Sequence, residues 1–206
     1  ADYITTPSIF KKERCELWDK PVLYISHGVN PDFDDVEPAE LAGKIKVLYS
    51  GEQSKRKRVD MLIDAVKDID CELYLFGKVN EELKKNASKN VHFMGHVKYT
   101  ELPSYLKAAD ILVLTADDDC TLKMFEYIKT GKPILGIRGR VNYVLTHGED
   151  AYLTADLAKG LTELIEHEDL RRKLANNVKK IKVHTWQEIG DEYMAFLERI
   201  IGDKND

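Results

Sequence analysis

Short apolar runs alternating with amphipathic stretches constrain this chain more than any other feature. Runs at residues 22–26, 45–50, 72–76, 91–94, 111–115 and 133–137 have strand length and carry Val, Ile, Leu, Tyr and Phe. Stretches at 59–67, 80–86, 100–108 and 121–130 fall between them and have helical length and polarity. Strands that alternate with helices form βαβ units, and these build a parallel sheet with ligands at its carboxyl edge. The pattern predicts a three-layer α/β sandwich with a parallel sheet of about six strands.

From about residue 155 onward the chain reads as helical, over 156–167, 168–182 and 185–201. Thr185 followed by Glu188 resembles a capping box, which predicts a helix start there. Asn30-Pro31-Asp32 and residues 36–43 read as turn and loop. Residues 1–20 read as a loosely attached segment leading in from a preceding domain. No low-complexity linker or internal repeat divides the rest, so residues 1–206 read as one unit.

Composition excludes several classes. A hydrophobic content of 43% rules out global disorder. The net charge of −5 gives no electrostatic footprint for nucleic acid. No apolar run approaches the ~20 residues that span a bilayer, and residues 1–7 carry no signal-peptide pattern. Cys15, Cys71 and Cys120 are odd in number and far apart, which argues against a disulfide framework or a Cys-based zinc site. They suit a reducing, cytoplasmic setting. The six His residues show no metal-ligand spacing.

The stretch from Asp117 to Pro133 carries the most chemistry. It follows the apolar run Ile111-Leu112-Val113-Leu114, opens with polar residues, and closes on Gly131 and Pro133. A strand passing into a helix N-terminus is where doubly wound α/β proteins bind ligands, and the free amides there favour an anion. Asp118 and Glu126 are eight residues apart. Such a pair can grip sugar hydroxyls while the amides of Thr121 and Leu122 hold phosphate. Glu126 stands among Met124, Phe125, Tyr127 and Ile128, so it is either paired in the interior or waiting for a ligand. Lys123 either reaches phosphate or lies on the helix surface, and Thr121 also fits an N-cap.

The order of motifs resembles the C-terminal half of the family 4 retaining glycosyltransferases, which have the GT-B fold. Ile25-Ser26-His27-Gly28-Val29-Asn30, with Phe33 after it, is similar to their interdomain "hxGVDxxxF" element. Val47-Leu48-Tyr49-Ser50-Gly51 followed by Lys57-Arg58-Val59-Asp60-Met61-Leu62-Ile63 is similar to their "GR…KGxDxLIxA" phosphate loop and helix. Val91-His92-Phe93-Met94-Gly95-His96-Val97 with Leu102-Pro103 matches "VxFxGxVxxxELPxxY". Asp118 to Glu126 matches their Glu-x7-Glu motif, which runs on into "KxFEYxxxGKPI", and Trp186 with Ile189 resembles "SWxxIA".

The resemblance implies a Rossmann-like half of a GT-B enzyme that binds the nucleoside diphosphate sugar. The acceptor-binding N-terminal domain is absent from the chain, and peripheral membrane association through that domain stays open. It also implies transfer of a hexosyl group to a hydroxyl acceptor with retention, without a metal or other cofactor. Asp118 would hold the donor sugar, Glu126 the ribose, and Lys57 and Lys123 the diphosphate. Gly51, Gly77 and Gly95 would let backbone approach the nucleotide, with His96 and Val97 beside the base. Departures from the pattern are Asp118 for Glu, Glu52 for the usual Arg, Arg58 for Gly and Thr121 for Gly. They keep two other readings open: a non-catalytic nucleotide- or sugar-binding module, and a GT-B epimerase or hydrolase. Lone histidines such as His27 fit packing better than general-base roles.

Overall fold

The computed structural model of the protein describes residues 2–18, 20–33 and 35–202. Near the N-terminus β1 (Ile4–Thr6) pairs in parallel with β2 (Val22–Tyr24), with α1 (Ile9–Cys15) between them. The main sheet holds β3 (Lys46–Ser50), β4 (Glu72–Phe76), β5 (Val91–Gly95), β6 (Ile111–Leu114), β7 (Ile134–Ile137) and β8 (Tyr152–Thr154). Its spatial order is β5-β4-β3-β6-β7-β8, parallel throughout. The chain builds outward from β3 to β5, then returns to the other side of β3 with β6. This reversal opens a crevice above the carboxyl ends of β3 and β6, where such sheets bind ligands.

Helices cover both faces because alternate residues of each strand point to opposite sides. Val47, Tyr49, Leu73, Leu75, Ile111 and Val113 pack on one face with α2 (Val59–Ala65), α6 (Leu157–Glu166) and α7 (Glu168–Val178). Leu48, Tyr74, Phe76, Leu112 and Leu114 pack on the other with α4 (Leu102–Ala108) and α5 (Leu122–Thr130). A strand apolar on both faces is what made these runs visible as continuous hydrophobic sequence. The short α3 (Glu81–Lys85) is capped by Asn80, whose side chain accepts from the amides of Glu82 and Leu83. The last helix, α8 (Trp186–Gly202), starts at the expected capping box: Thr185 N–H donates to Glu188 Oε2 at 2.7 Å, and Glu188 N–H to Thr185 Oγ1 at 3.2 Å.

Two expectations need correction. The run at 22–26 does not enter the main sheet. Its half-buried residues pair with β1 instead, and the sixth strand is β8. β8 escaped notice because three residues at a sheet edge give no readable periodicity. Residues 2–18 are not loosely attached. Ser8 is buried, and its hydroxyl donates to both oxygens of Asp119, at 2.8 and 3.0 Å. Phe10 N–H adds a third bond to Asp119 at 2.9 Å, and the Tyr3 ring meets Phe196 of α8 edge-on at 5.9 Å. A carboxylate with 1% exposure must be hydrogen-bonded, and this segment supplies the donors. Residues 1, 19, 34 and 203–206 of the expected unit lie outside the described residues.

Candidate functional site

Three strand ends are stitched side by side into one bare backbone surface. Gly51 N–H donates to Phe76 O at 2.9 Å, and Gly77 N–H to Gly95 O at 2.8 Å. Gly51 has φ +135° and Gly77 φ +123°, conformations that side chains disfavour. A Cβ on Gly77 would also strike the Gly51 carbonyl. Above this surface lies a cavity of about 620 Å³. It is lined by Ser50, Gly51, Glu52, Phe76, Gly77, Lys78, His96, Val97, Tyr99, Leu102, Thr121, Leu122, Lys123 and Glu126.

Eight of these are residues the sequence singled out: Gly51, Gly77, His96, Val97, Thr121, Leu122, Lys123 and Glu126. Gly95 sits behind Gly77, bonded to it through its carbonyl. Lys57 and Asp118 line a neighbouring recess of about 260 Å³ with Arg56, Arg58, Ala116, Asp117 and Arg140. The recesses communicate electrostatically, since the Lys57 charge acts on both Asp118 and Lys123. Lys78, Tyr99 and Leu102 also line the main cavity, although none was expected to contact a ligand. Tyr99 comes from an irregular turn, at a position that the "VxFxGxVxxxELP" pattern leaves free.

Glu126 projects from α5 with only 4% exposure, between the buried Phe125 and Tyr127. Tyr99 Oη donates to its Oε1 at 2.7 Å. Burial raises its carboxyl above the ordinary value, while the Tyr99 hydrogen bond and the Lys123 charge pull the other way. A carboxylate accepts about four hydrogen bonds. Tyr99 is its hydrogen-bond partner among the described residues, so Glu126 retains accepting capacity toward the cavity.

Lys123 turns inward rather than lying on the helix surface. Its ammonium stacks 4.0 Å from the Tyr49 ring centroid and crowds Gly51 so closely that a Cβ there would collide with Nζ. Burial first, then repulsion from Lys57, brings its ammonium down to about 7; Glu126 and Glu52 act in the opposite sense. Thr121 holds the N-cap position of α5 without capping it by its side chain. The first-turn amides and Lys123 thus present positive potential to one part of the cavity. The charge reversal at Glu52 is neutralised locally, since Arg56 Nη2 lies 2.6 Å from its Oε2.

The three consecutive aspartates divide their work. Asp117 accepts from the Arg140 amide and faces its guanidinium at 3.7 Å. Asp119 anchors Ser8 and Phe10. Asp118 accepts from the Cys120 amide and thiol, both at 3.2 Å, and lines the recess beside Lys57 together with Asp117. Burial alone would raise its carboxyl, but the Cys120 bonds, Lys57 and Arg140 hold it below the ordinary value. Asp118, Asp119 and Cys120 each bring a potential ligand atom within 4.8 Å of the others. Both oxygens of Asp119 already serve the N-terminal segment, however. His27 braces the helix entrance, with Nε2 2.7 Å from Cys120 O and its ring edge-on to Phe125 and Trp186. That is a packing role, as its sequence context suggested.

A parallel sheet of this order with a cavity at its switch point defines a Rossmann-like α/β domain. Residues 44–167 match the family model described as "Glycosyl transferases group 1", and the chain belongs to that family. It is 28% identical over 154 residues to an uncharacterised glycosyltransferase of Methanocaldococcus jannaschii, covering 68% of this chain and 44% of that one. It is 25% identical over 149 residues to an uncharacterised protein from the cps region of Klebsiella pneumoniae, covering 70% and 39%. The chain thus spans less than half of either relative.

Among solved structures, HepE of Anabaena in complex with UDP and glucose superposes with a TM-score of 0.82 at 18% identity, over 96% of this chain and 63% of that one. Sucrose-phosphate synthase of Thermosynechococcus elongatus superposes with a TM-score of 0.82 at 19% identity, over 98% and 59%. At these identities the likeness is one of fold. Among the described residues no helix is long and apolar enough to cross a membrane.

Proposed function

We propose that residues 1–206 are the donor-binding C-terminal domain of a family 4 retaining hexosyltransferase. An acceptor-binding N-terminal domain would lie elsewhere in the same cytoplasmic polypeptide. The donor is a nucleoside diphosphate sugar, and no metal or other cofactor is required. The observation that carries this reading is the 620 Å³ cavity in which a buried carboxylate, an uncapped helix N-terminus and an inward lysine meet bare glycine backbone. These are complementary to ribose hydroxyls, a diphosphate and a base edge. Anabaena HepE, of the same fold, was solved with UDP and glucose, which supports the assignment.

Each group then has a task. Glu126 accepts from the ribose hydroxyls. Gly77, Gly95, His96 and Val97 bound the base, and Gly51 lets the diphosphate approach the backbone. The Thr121 and Leu122 amides, Lys123 and Lys57 face the phosphate oxygens. Asp118, across the Lys57 recess, orients the sugar. When the bond from the anomeric carbon to the diphosphate breaks, negative charge grows on the leaving oxygens. Donors already pointed there stabilise it without reorganising, the largest electrostatic contribution enzymes commonly make. Lys123 supplies the cation that Glu52 removes from the loop after β3.

Calorimetric titration of the chain with UDP, ADP, GDP and CDP tests the reading. One of them should bind, and Glu126→Ala should abolish most of that affinity. A folded chain that binds none of the four would refute it.

A further inference from the structure

Tyr99 belongs to the turn between β5 and α4, where Glu101 N–H closes onto Lys98 O at 2.9 Å. Its ring leans on the buried Phe33 at 6.2 Å, and its hydroxyl reaches 2.7 Å to Glu126 Oε1. It also lines the main cavity and remains 39% exposed. A hydroxyl that serves only to satisfy a buried carboxylate has no need to stand at the cavity wall. A phenol has one proton to donate and two lone pairs with which to accept. Having spent its proton on Glu126 Oε1, Tyr99 Oη keeps only accepting capacity.

We propose that Tyr99 and Glu126 form a two-acceptor reader of the ribose diol, with Tyr99 as the positioning residue. Tyr99 fixes Glu126 Oε1, leaves Oε2 for one ribose hydroxyl, and takes the proton of the other on its own oxygen. The pair therefore selects a ribonucleotide and discriminates against a nucleotide lacking one of the two hydroxyls. A site built to bond a hydroxyl rejects the analogue without it, because its polar groups are left unpaired. The hydrogen bond also favours the ionised form of Glu126 against the burial that opposes it. Other titratable or charged groups facing the cavity are Glu52, Lys78, His96 and Lys123, from the loops after β3, β4 and β5 and the first turn of α5.

This inference rests on the donor-site reading, and one set of titrations separates the two. The chain, Tyr99→Phe and Glu126→Ala are titrated from pH 5 to 8 with whichever of UDP, ADP, GDP or CDP binds tightest. The 2′-deoxy and 3′-deoxy forms of that nucleotide are titrated beside it. Tyr99→Phe keeps the ring on Phe33 and should melt like the parent. It should weaken the ribonucleotide roughly three- to tenfold, the scale of one neutral hydrogen bond. One of the two deoxy penalties seen in the parent should collapse, and the acid limb of the affinity profile should move to higher pH. Glu52, Lys78, His96 and Lys123 are common to both proteins, so the difference between the profiles reads Tyr99. If both deoxy penalties and the acid limb stay as in the parent, Tyr99 has no such role, although the donor site stands. If the parent itself ignores the deoxy substitutions, the diol reader is refuted. If the parent binds none of the four nucleotides, the donor-site reading falls and this inference with it.

Discussion

Replacing Lys123 by Met should make the protein more stable and worse at holding its donor. The Lys123 ammonium is brought from 10.5 to about 7, chiefly by burial. At 1.36 kcal/mol per unit that corresponds to an upper bound of about 4–5 kcal/mol lost to the folded state at pH 7. Stacking on Tyr49 returns about 1–2 kcal/mol, and partial exposure screens the remainder. Met fills a similar volume and contacts the ring through sulfur, so the expected gain at pH 7 is about 1–3 kcal/mol. The sign follows from linkage. The folded state releases this proton more readily than the unfolded one, so the unfolded chain binds more protons between pH 7 and 10.5, and parent stability rises across that window. The advantage of Lys123→Met must therefore shrink as pH climbs and vanish near 10.5. Urea unfolding of both proteins at pH 7, 8.5 and 10.5 measures it. The same variant should bind whichever of UDP, ADP, GDP or CDP the parent holds tightest about tenfold or more weakly, the loss of one charge-assisted contact. A variant less stable than the parent at pH 7, or a gain that ignores pH, would refute the buried-cation account.

Other substitutions probe separate parts of the site. Glu126→Ala should weaken nucleoside diphosphate binding by roughly 1.5–3 kcal/mol, and Glu126→Gln by less, because the amide keeps one acceptor; calorimetry reads both. Lys57→Ala should show a penalty that shrinks as salt rises, unlike Glu126→Ala, when the two are titrated at low and high ionic strength. Ser8→Ala leaves the buried Asp119 short of its hydroxyl donor, which should reduce unfolding free energy by about 1–3 kcal/mol and speed limited proteolysis within residues 2–18. Gly77→Ala drives a methyl group into the Gly51 carbonyl at a φ of +123°. It should lower the melting temperature and abolish nucleotide binding together.

The sheet was legible where physics leaves a local trace. β3, β4, β6 and β7 are buried on both faces, so each appears as an unbroken apolar run. α8 declared itself through the reciprocal Thr185–Glu188 cap. Tertiary partnerships were not legible. Ser8 meets Asp119 across 111 residues of chain, and only that meeting turns the first residues into part of the fold. The three aspartates differ in the same way: Asp117 is engaged by Arg140, Asp119 by Ser8, and Asp118 by its near neighbour Cys120. Lys123 was undecided between surface and phosphate because its burial depends on the Tyr49 ring, from a different strand. Arg58 stands where the family often has Gly, and its φ of +55° accounts for that preference. Tyr99 left no trace, since its role depends on a carboxylate 27 residues further along.

The central claim is that a nucleoside diphosphate occupies the cavity above β3, β4 and β5, against the first turn of α5. An amide-resolved NMR titration of the isotopically labelled chain with UDP, ADP, GDP and CDP in turn tests it most directly. The account predicts that the amides of Gly51, Gly77, Val97, Thr121 and Leu122 shift together along one saturating curve, with Glu126→Ala displacing that curve to higher concentration. Amides at the opposite end of the sheet, such as Gly131 and Lys132, should stay still. Shifts confined to that opposite end, or none at all at millimolar concentrations of any of the four, would contradict it.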